Sequence, residues 1–179
     1  NWIDMDLDGI IDRDDGDWQW QAGEDVFGSI RAGGNILVEA LGGALAMMEG
    51  TVSQTDGGEI AYAAMGNMTI ATLDARTGAD RLAGTRDNQA DWGNVLLVGN
   101  GSILDAQTDT VEADAEGFSA QTGNPREVNV YGNTAQIMTL GSVGEAGNPL
   151  DTELATVAAE STGGDLYLYE SSGILVGAA

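Results

Sequence analysis

The chain contains no cysteine, no histidine and no lysine, and only two prolines among its 179 residues. Each absence closes off a chemistry. Without cysteine there are no disulfides, no thiolate nucleophile and no cysteine-based zinc site. Without histidine there is no imidazole general base and no Ser-His-Asp triad. All six basic residues are arginines, set against 29 acids, for a formal net charge of −23. That is too few cations to neutralise a run of phosphates, so nucleic acid is excluded as a partner. An anionic membrane surface repels such a chain, and no apolar run is long enough to insert into a bilayer. No basic stretch followed by an apolar one opens the chain, so no signal peptide is expected. The first residue is Asn1, which reads as a mature product or a piece of a longer chain.

What is abundant is glycine, at 27 residues. With proline scarce, turns are left to Gly, Asn and Asp. Stretches with a 3.6-residue period are hard to find, while Val, Ile, Thr and Ala alternate in short runs. The expectation is an all-β chain of many short strands.

Four segments share one pattern: "GNILVEALGGALAMM" from Gly34, "GEIAYAAMGNMTIATL" from Gly58, "GNVLLVGNGSILDA" from Gly93 and "GDLYLYESSGILVGAA" from Gly164. Each begins with Gly and a polar residue, alternates, turns at Gly42, Gly66, Gly101 or Ser172, and alternates again. Alternation points Ile36 and Val38, Ile60 and Tyr62, Val95 and Leu97, Leu166 and Leu168 inward, and Tyr167 and Tyr169 outward. A turn, a strand, a glycine corner and a second strand make one coil of a β-solenoid. At roughly 20–25 residues per coil, Gly34 to Gly58 reads as one coil. Gly58 to Gly93 reads as one coil with an inserted loop near 74–92, and Gly93 to Gly164 as about three coils. A β-sandwich of glycine-rich hairpins is the alternative. Hairpins favour Asn-Gly or Asp-Gly turns, whereas here glycine usually precedes the polar residue.

The stretch "GSVGEAGNPLDTELATVAAESTGGDLYLYESSGILVG" resembles a repeat segment of large secreted bacterial surface proteins of the filamentous-haemagglutinin type. "GNVLLVGNGSILDA" is similar to a second segment of those repeats. The resemblance spans roughly residues 33–177 and rests on pattern. It implies a right-handed parallel β-helix in a cell-surface adhesin or fibre, and it brings no catalytic residues with it.

The first residues, "NWIDMDLDGIIDRDDGDW", lie outside that pattern. "DMDLDGIIDRDD" is a twelve-residue loop with Asp4, Asp6 and Asp8 at positions 1, 3 and 5. Gly9 is at the turn, and the Ile10 carbonyl, Asp12 and Asp15 are at positions 7, 9 and 12. This is the ligand order of EF-hand-like calcium loops, with Asp replacing the usual final Glu. Alternating acids surround one hard cation, and the glycine lets the backbone wrap it. The flanks are too short for helices, so the loop resembles thrombospondin type-3 or dockerin linkers. Calcium is the expected cofactor, and the alternative is a solvated acidic tail. Asp14 and Asp17 serve as outer ligands or are solvated.

Residues 1–22 thus read as a calcium loop with a linker or cap, and 23–179 as the β-helix. Trp18 and Trp20 alternate in "DWQWQ" and share one face. They form either a stacking platform for sugars or a plug over the first coil, and their position favours the plug. Trp92 borders the inserted loop and is expected to anchor it. A polysaccharide lyase would have to draw on Arg76, Arg81, Arg86 and Asp91 in that loop. A mixed-charge surface loop is more often only a loop, so no enzymatic activity is expected. The functional expectation is an extracellular structural module of a bacterial surface adhesin or fibre. It would be calcium-stabilised and bind copies of itself end to end. A carbohydrate-binding or carbohydrate-cleaving β-helix is the alternative, with surface polysaccharide as the partner.

Overall fold

A computed structural model describes residues 29–83, 89–107, 128–170 and 172–177. The chain winds through three faces in turn. β1 (Ile30–Arg31) lies on face 3, β2 (Ile36–Ala40) on face 1 and β3 (Leu45–Ala46) on face 2. The cycle repeats with β4 (Val52–Gln54), β5 (Ile60–Ala64) and β6 (Met68–Ile70). It runs on through β7 (Thr72–Asp74), β8 (Val95–Gly99) and β9 (Ile103–Asp105). β10 (Val130–Thr139) and β11 (Leu150–Ser161) each run from face 3 straight into face 1 and join the two into one ten-stranded sheet. β12 (Leu168–Glu170) and β13 (Leu175–Val176) pair with β11. Every strand ladder is parallel, and the one antiparallel bridge among the described residues is Glu145 with Asn148. This is a parallel β-helix. A sandwich of hairpins would need antiparallel ladders.

Period-2 alternation fills the interior. On face 1, Ile36, Ile60 and Val95 stand in register, and beside them Val38, Tyr62 and Leu97. Both rows continue into β10 and β11 at Ala135 and Val157, and at Ile137 and Ala159. On face 2, Met68 stacks on Ile103, which bridges to Val143 and then to Leu166. On face 3, Leu73 stacks on Val130. Ile60, Met68, Leu73, Leu97, Ile103 and Ile137 have no exposed surface. Each such aliphatic side chain contributes about 1.5–3 kcal/mol of burial. The buried Tyr62 hydroxyl is bonded to Ser53 across the interior. Burial pushes the Tyr62 phenol above its ordinary pKa, against the opposing effect of that bond.

The register corrects the fourth repeat. Leu166 belongs to the Ile103–Val143 row on face 2, and Leu168 pairs with Leu150 on face 3. Neither joins the Ile36 and Val38 rows. Gly164 stacks on Gly141, with Gly101 and Gly66 below, at the corner between faces 1 and 2. Gly-polar-apolar alternation follows any corner, so the pattern alone does not say which face comes next. The span from Gly93 to Gly164 is therefore not three coils. Val95 to Ala135 is one circuit, Ala135 to Val157 is one shorter circuit, and Gly164 stands one corner further on. The long step includes residues 108–127, which lie outside the described residues.

That corner is also a hydrogen-bond ladder. The Ser102 N–H donates to Asn67 Oδ1 at 3.0 Å, Ser142 N–H to Ser102 Oγ at 3.2 Å, and Asp165 N–H to Ser142 Oγ at 3.2 Å. Each coil thus caps the next through the residue after the corner glycine. The glycine is required by close approach. A Cβ on Gly141 would lie 2.6 Å from Ser102 N and 2.8 Å from the Gly101 carbonyl carbon.

At the C-terminal rung, Glu170 is in register with the buried Thr152. Its carboxylate accepts from Thr152 Oγ1 at 2.8 Å, from Leu154 N–H at 3.2 Å and from Ser172 Oγ at 3.0 Å. Burial raises its pKa, and these donors only partly offset the rise.

Gly141→Ala is expected to cost about 1–3 kcal/mol by overpacking against backbone. Gly147→Ala, where nothing lies within 4 Å, should stay within about 0.5 kcal/mol. Urea unfolding midpoints compare the two. For Glu170 the folded pKa lies above the ordinary value of 4.5, so its contribution to stability is fully present below that unfolded pKa. The contribution is lost as pH rises through the folded pKa. Glu170→Gln should therefore gain on the wild type in melting temperature as pH rises toward neutrality. Equal pH slopes in the two proteins would contradict this.

Candidate functional site

The calcium-loop residues Asp4, Asp6, Asp8, Ile10, Asp12 and Asp15 and the pair Trp18 and Trp20 lie outside the described residues, as does Arg86 of the loop. Among the described residues, no group of three or more acidic side chains is arranged to hold a metal ion. Polar side chains gather at three other places.

The first is the base of the inserted loop. Alternation turns Leu73 inward and Asp74 outward on β7. The register then lines Asp74 up with Gln54 on one side and Tyr131 on the other, and Tyr131 with Glu153 beyond. Past Asp74 the chain leaves the sheet, and Arg76 turns back over it. Arg76 Nε donates to Asp74 Oδ1 at 2.9 Å and Nη2 to Oδ2 at 2.8 Å. This is the two-pronged geometry that suits a guanidinium and a carboxylate. The same guanidinium sits 3.8 Å above the centre of the Tyr131 ring. Arg81 adds Nη1 at 3.6 Å from Asp74 Oδ1 and donates to the Arg76 carbonyl. With its amide oxygen turned toward Arg81, Gln54 accepts from Nε at 3.1 Å and from Nη2 at 3.2 Å.

The loop itself is pinned from above. Thr77 caps the short helix α1 (Gly78–Ala83), accepting from Asp80 N–H at 3.2 Å and donating to Asp80 Oδ2 at 2.7 Å. Asp80 Oδ2 also accepts from Trp92 Nε1 at 3.0 Å. The buried Trp92 meets Tyr131 edge to face at 6.4 Å. Gln89, on the 3-10 turn Gln89–Asp91, donates to the buried Glu153 at 3.2 Å. For Arg76, burial works to lower the pKa. The hydrogen bond and charge of Asp74, backed by Tyr131 and Glu153, outweigh it and hold the pKa above its ordinary value.

Two of the four residues a lyase would use are therefore committed within the protein. Asp74 holds the Arg76 guanidinium by its edge and Tyr131 covers a face of it, while Arg81 is braced against the loop base. Asp91 is exposed on the 3-10 turn. The cluster closes the loop onto face 3 and fixes its exit angle. Trp92 anchors the loop, as its place in the sequence suggests. Asp74, Tyr131 and Glu153 belong to no motif. Only Asp74, two residues before Arg76, carries a local signal.

The second place is a buried polar knot where face 2 turns into face 3. Asn129, with no exposed surface, donates through Nδ2 to the Ala71 carbonyl at 2.9 Å and to Asp105 Oδ1 at 2.5 Å. Its Oδ1 accepts from Asp151 N–H at 2.7 Å. Gln107 joins it, donating to Thr72 Oγ1 at 3.1 Å.

The third place is a cleft of about 270 Å³ on the outside of face 1, crossing three successive coils. Glu59 and Ala61, Asn94 and Leu96, and Thr134 and Gln136 line it in pairs, one pair from each coil.

Asp74→Asn leaves the Arg76 guanidinium with a neutral partner in a half-buried site. A loss of about 1–3 kcal/mol is expected. Trp92→Phe removes one hydrogen bond and should cost about 1 kcal/mol. Denaturant titration of both variants is the check, and no change in either would contradict the role given to the cluster.

No family model, no curated protein and no solved structure matches the chain.

Proposed function

We propose that the chain is a structural module of a secreted bacterial cell-surface adhesin or extracellular fibre. Calcium at residues 1–22 would stiffen it, and it would stack end to end on copies of itself. The observation that carries this reading is the form of the stack. Each coil hydrogen-bonds the next in the same direction through backbone ladders and through the Asn67–Ser102–Ser142–Asp165 corner row. The inner rows stay apolar up to the last described rung. Leu166 is 45% exposed and Val176 77% exposed. A parallel stack has two unlike ends, so association of one end with the other propagates in a line and does not close into a dimer. The resemblance of the repeats to filamentous-haemagglutinin-type segments points the same way. A lyase at the inserted loop finds less support, because its two described arginines are bound to Asp74, Tyr131 and Gln54.

Sedimentation velocity and thermal unfolding, each in millimolar calcium and in EDTA, test the reading. Calcium should raise the melting temperature and lengthen the assemblies, and Asp8→Asn should blunt both effects. If calcium changes neither quantity, the joint at residues 1–22 is refuted. If the chain stays monomeric at high concentration with calcium present, the fibre is refuted.

A further inference from the structure

The cleft on face 1 sets a polar row beside an apolar one. Two outward rows run side by side up the solenoid. One is polar and includes Glu59, Asn94 and Thr134. The other is mostly apolar, with Leu37, Ala61 and Leu96 in register before Gln136. The side chains of Ile60 and Val95 between the rows point into the core, so the floor there is backbone and small side-chain surface. On face 3 the outward polar groups satisfy one another, as Asp74, Arg76 and Arg81 do. In the cleft, no hydrogen bond within the protein engages the side chains of Glu59, Asn94, Thr134 or Gln136 among the described residues.

The residue types select the ligand. An anion finds no cation here: no arginine lines the cleft, Glu59 does, and the chain carries −23 overall. A hard cation would ask for more carboxylate oxygens than Glu59 offers. A purely apolar ligand would strip water from four hydrogen-bonding groups and return nothing. A neutral sugar satisfies all of these conditions. Its hydroxyls both donate and accept, as the Asn94 and Gln136 amides and the Thr134 hydroxyl do. Its C–H face can lie on Ala61 and Leu96. Coils stack about 4.8 Å apart, close to the length of one pyranose ring, so a linear chain along the axis meets a fresh polar side chain at every ring. We propose that this cleft is a binding site for a linear neutral polysaccharide lying parallel to the solenoid axis. The proposal rests on reading the chain as a surface module and names what that module would hold.

The test is binding of the full chain to immobilised linear glycans. The neutral probes are glucan, mannan, galactan and chitin oligomers, and the acidic probes are galacturonan and hyaluronan oligomers. Saturable binding should be confined to neutral chains. The double variant Asn94→Ala/Gln136→Ala should lose about tenfold or more in affinity, roughly 1.4 kcal/mol, with an unchanged melting temperature. Thr69→Ala, on face 2, should bind like the wild type. No neutral glycan bound at millimolar concentration would overturn the site, as would binding that survives the double variant or a preference for acidic chains. The outcome is separable from that of the fibre reading. Calcium-dependent assembly without glycan binding refutes this site alone, and glycan binding without assembly refutes the fibre alone.

Discussion

Everything in this molecule depends on one constraint: after each circuit the chain must return to the strand it left, in the same direction and the same register. A parallel ladder cannot be closed by a two-residue turn, so the return has to be made around a full coil. Corner glycines permit the approach of successive coils, and the polar residue after each one locks the phase. Where a side chain would stand between Gly141 and Ser102, the coils could not reach bonding distance. The apolar rows then fill an interior whose width the corners have already set.

The same constraint explains how the fold tolerates long departures. Entropy lost on closing a loop grows only logarithmically with its length, at about 0.6 kcal/mol per doubling. The long step from Val95 to Ala135 is therefore little harder to close than the short one from Ala135 to Val157, provided the return point is well marked. Asn129 marks it for the long step. For the departure after Asp74, the mark is the pairing of Asp74 with Arg76 and the packing of Trp92 on Tyr131. The charged cluster that first suggests chemistry is better understood as the clasp of an insertion.

Which parts of this were legible in the sequence follows from the range of each signal. Alternation at Ile36, Ile60 and Val95 and the glycines beside them are local features, and the faces and the loop near 74–92 could be read from them. The phase of the segment from Gly164 could not, because its pattern is shared by every corner and the intervening coils had to be counted through residues 108–127. The partners of Arg76 on β10 and β11 lie beyond that same stretch. So does the far wall of the cleft, which exists only because two long circuits bring Asn94 and then Thr134 beside Glu59. Side-chain types were visible throughout, but adjacency between them was not.

Arrays of this kind are usually thought of as modular, with coils gained or lost one at a time by duplication and deletion. Asn129 limits that freedom here. Its single amide grips the carbonyl of Ala71, the carboxylate of Asp105 and the N–H of Asp151, which belong to successive levels of the stack. Asn129 shares the middle level with Asp105, so its amide ties the level below, at Ala71, to the level above, at Asp151. A coil inserted or removed beside Asn129 would have to present a carbonyl on one side of that buried amide and an N–H on the other.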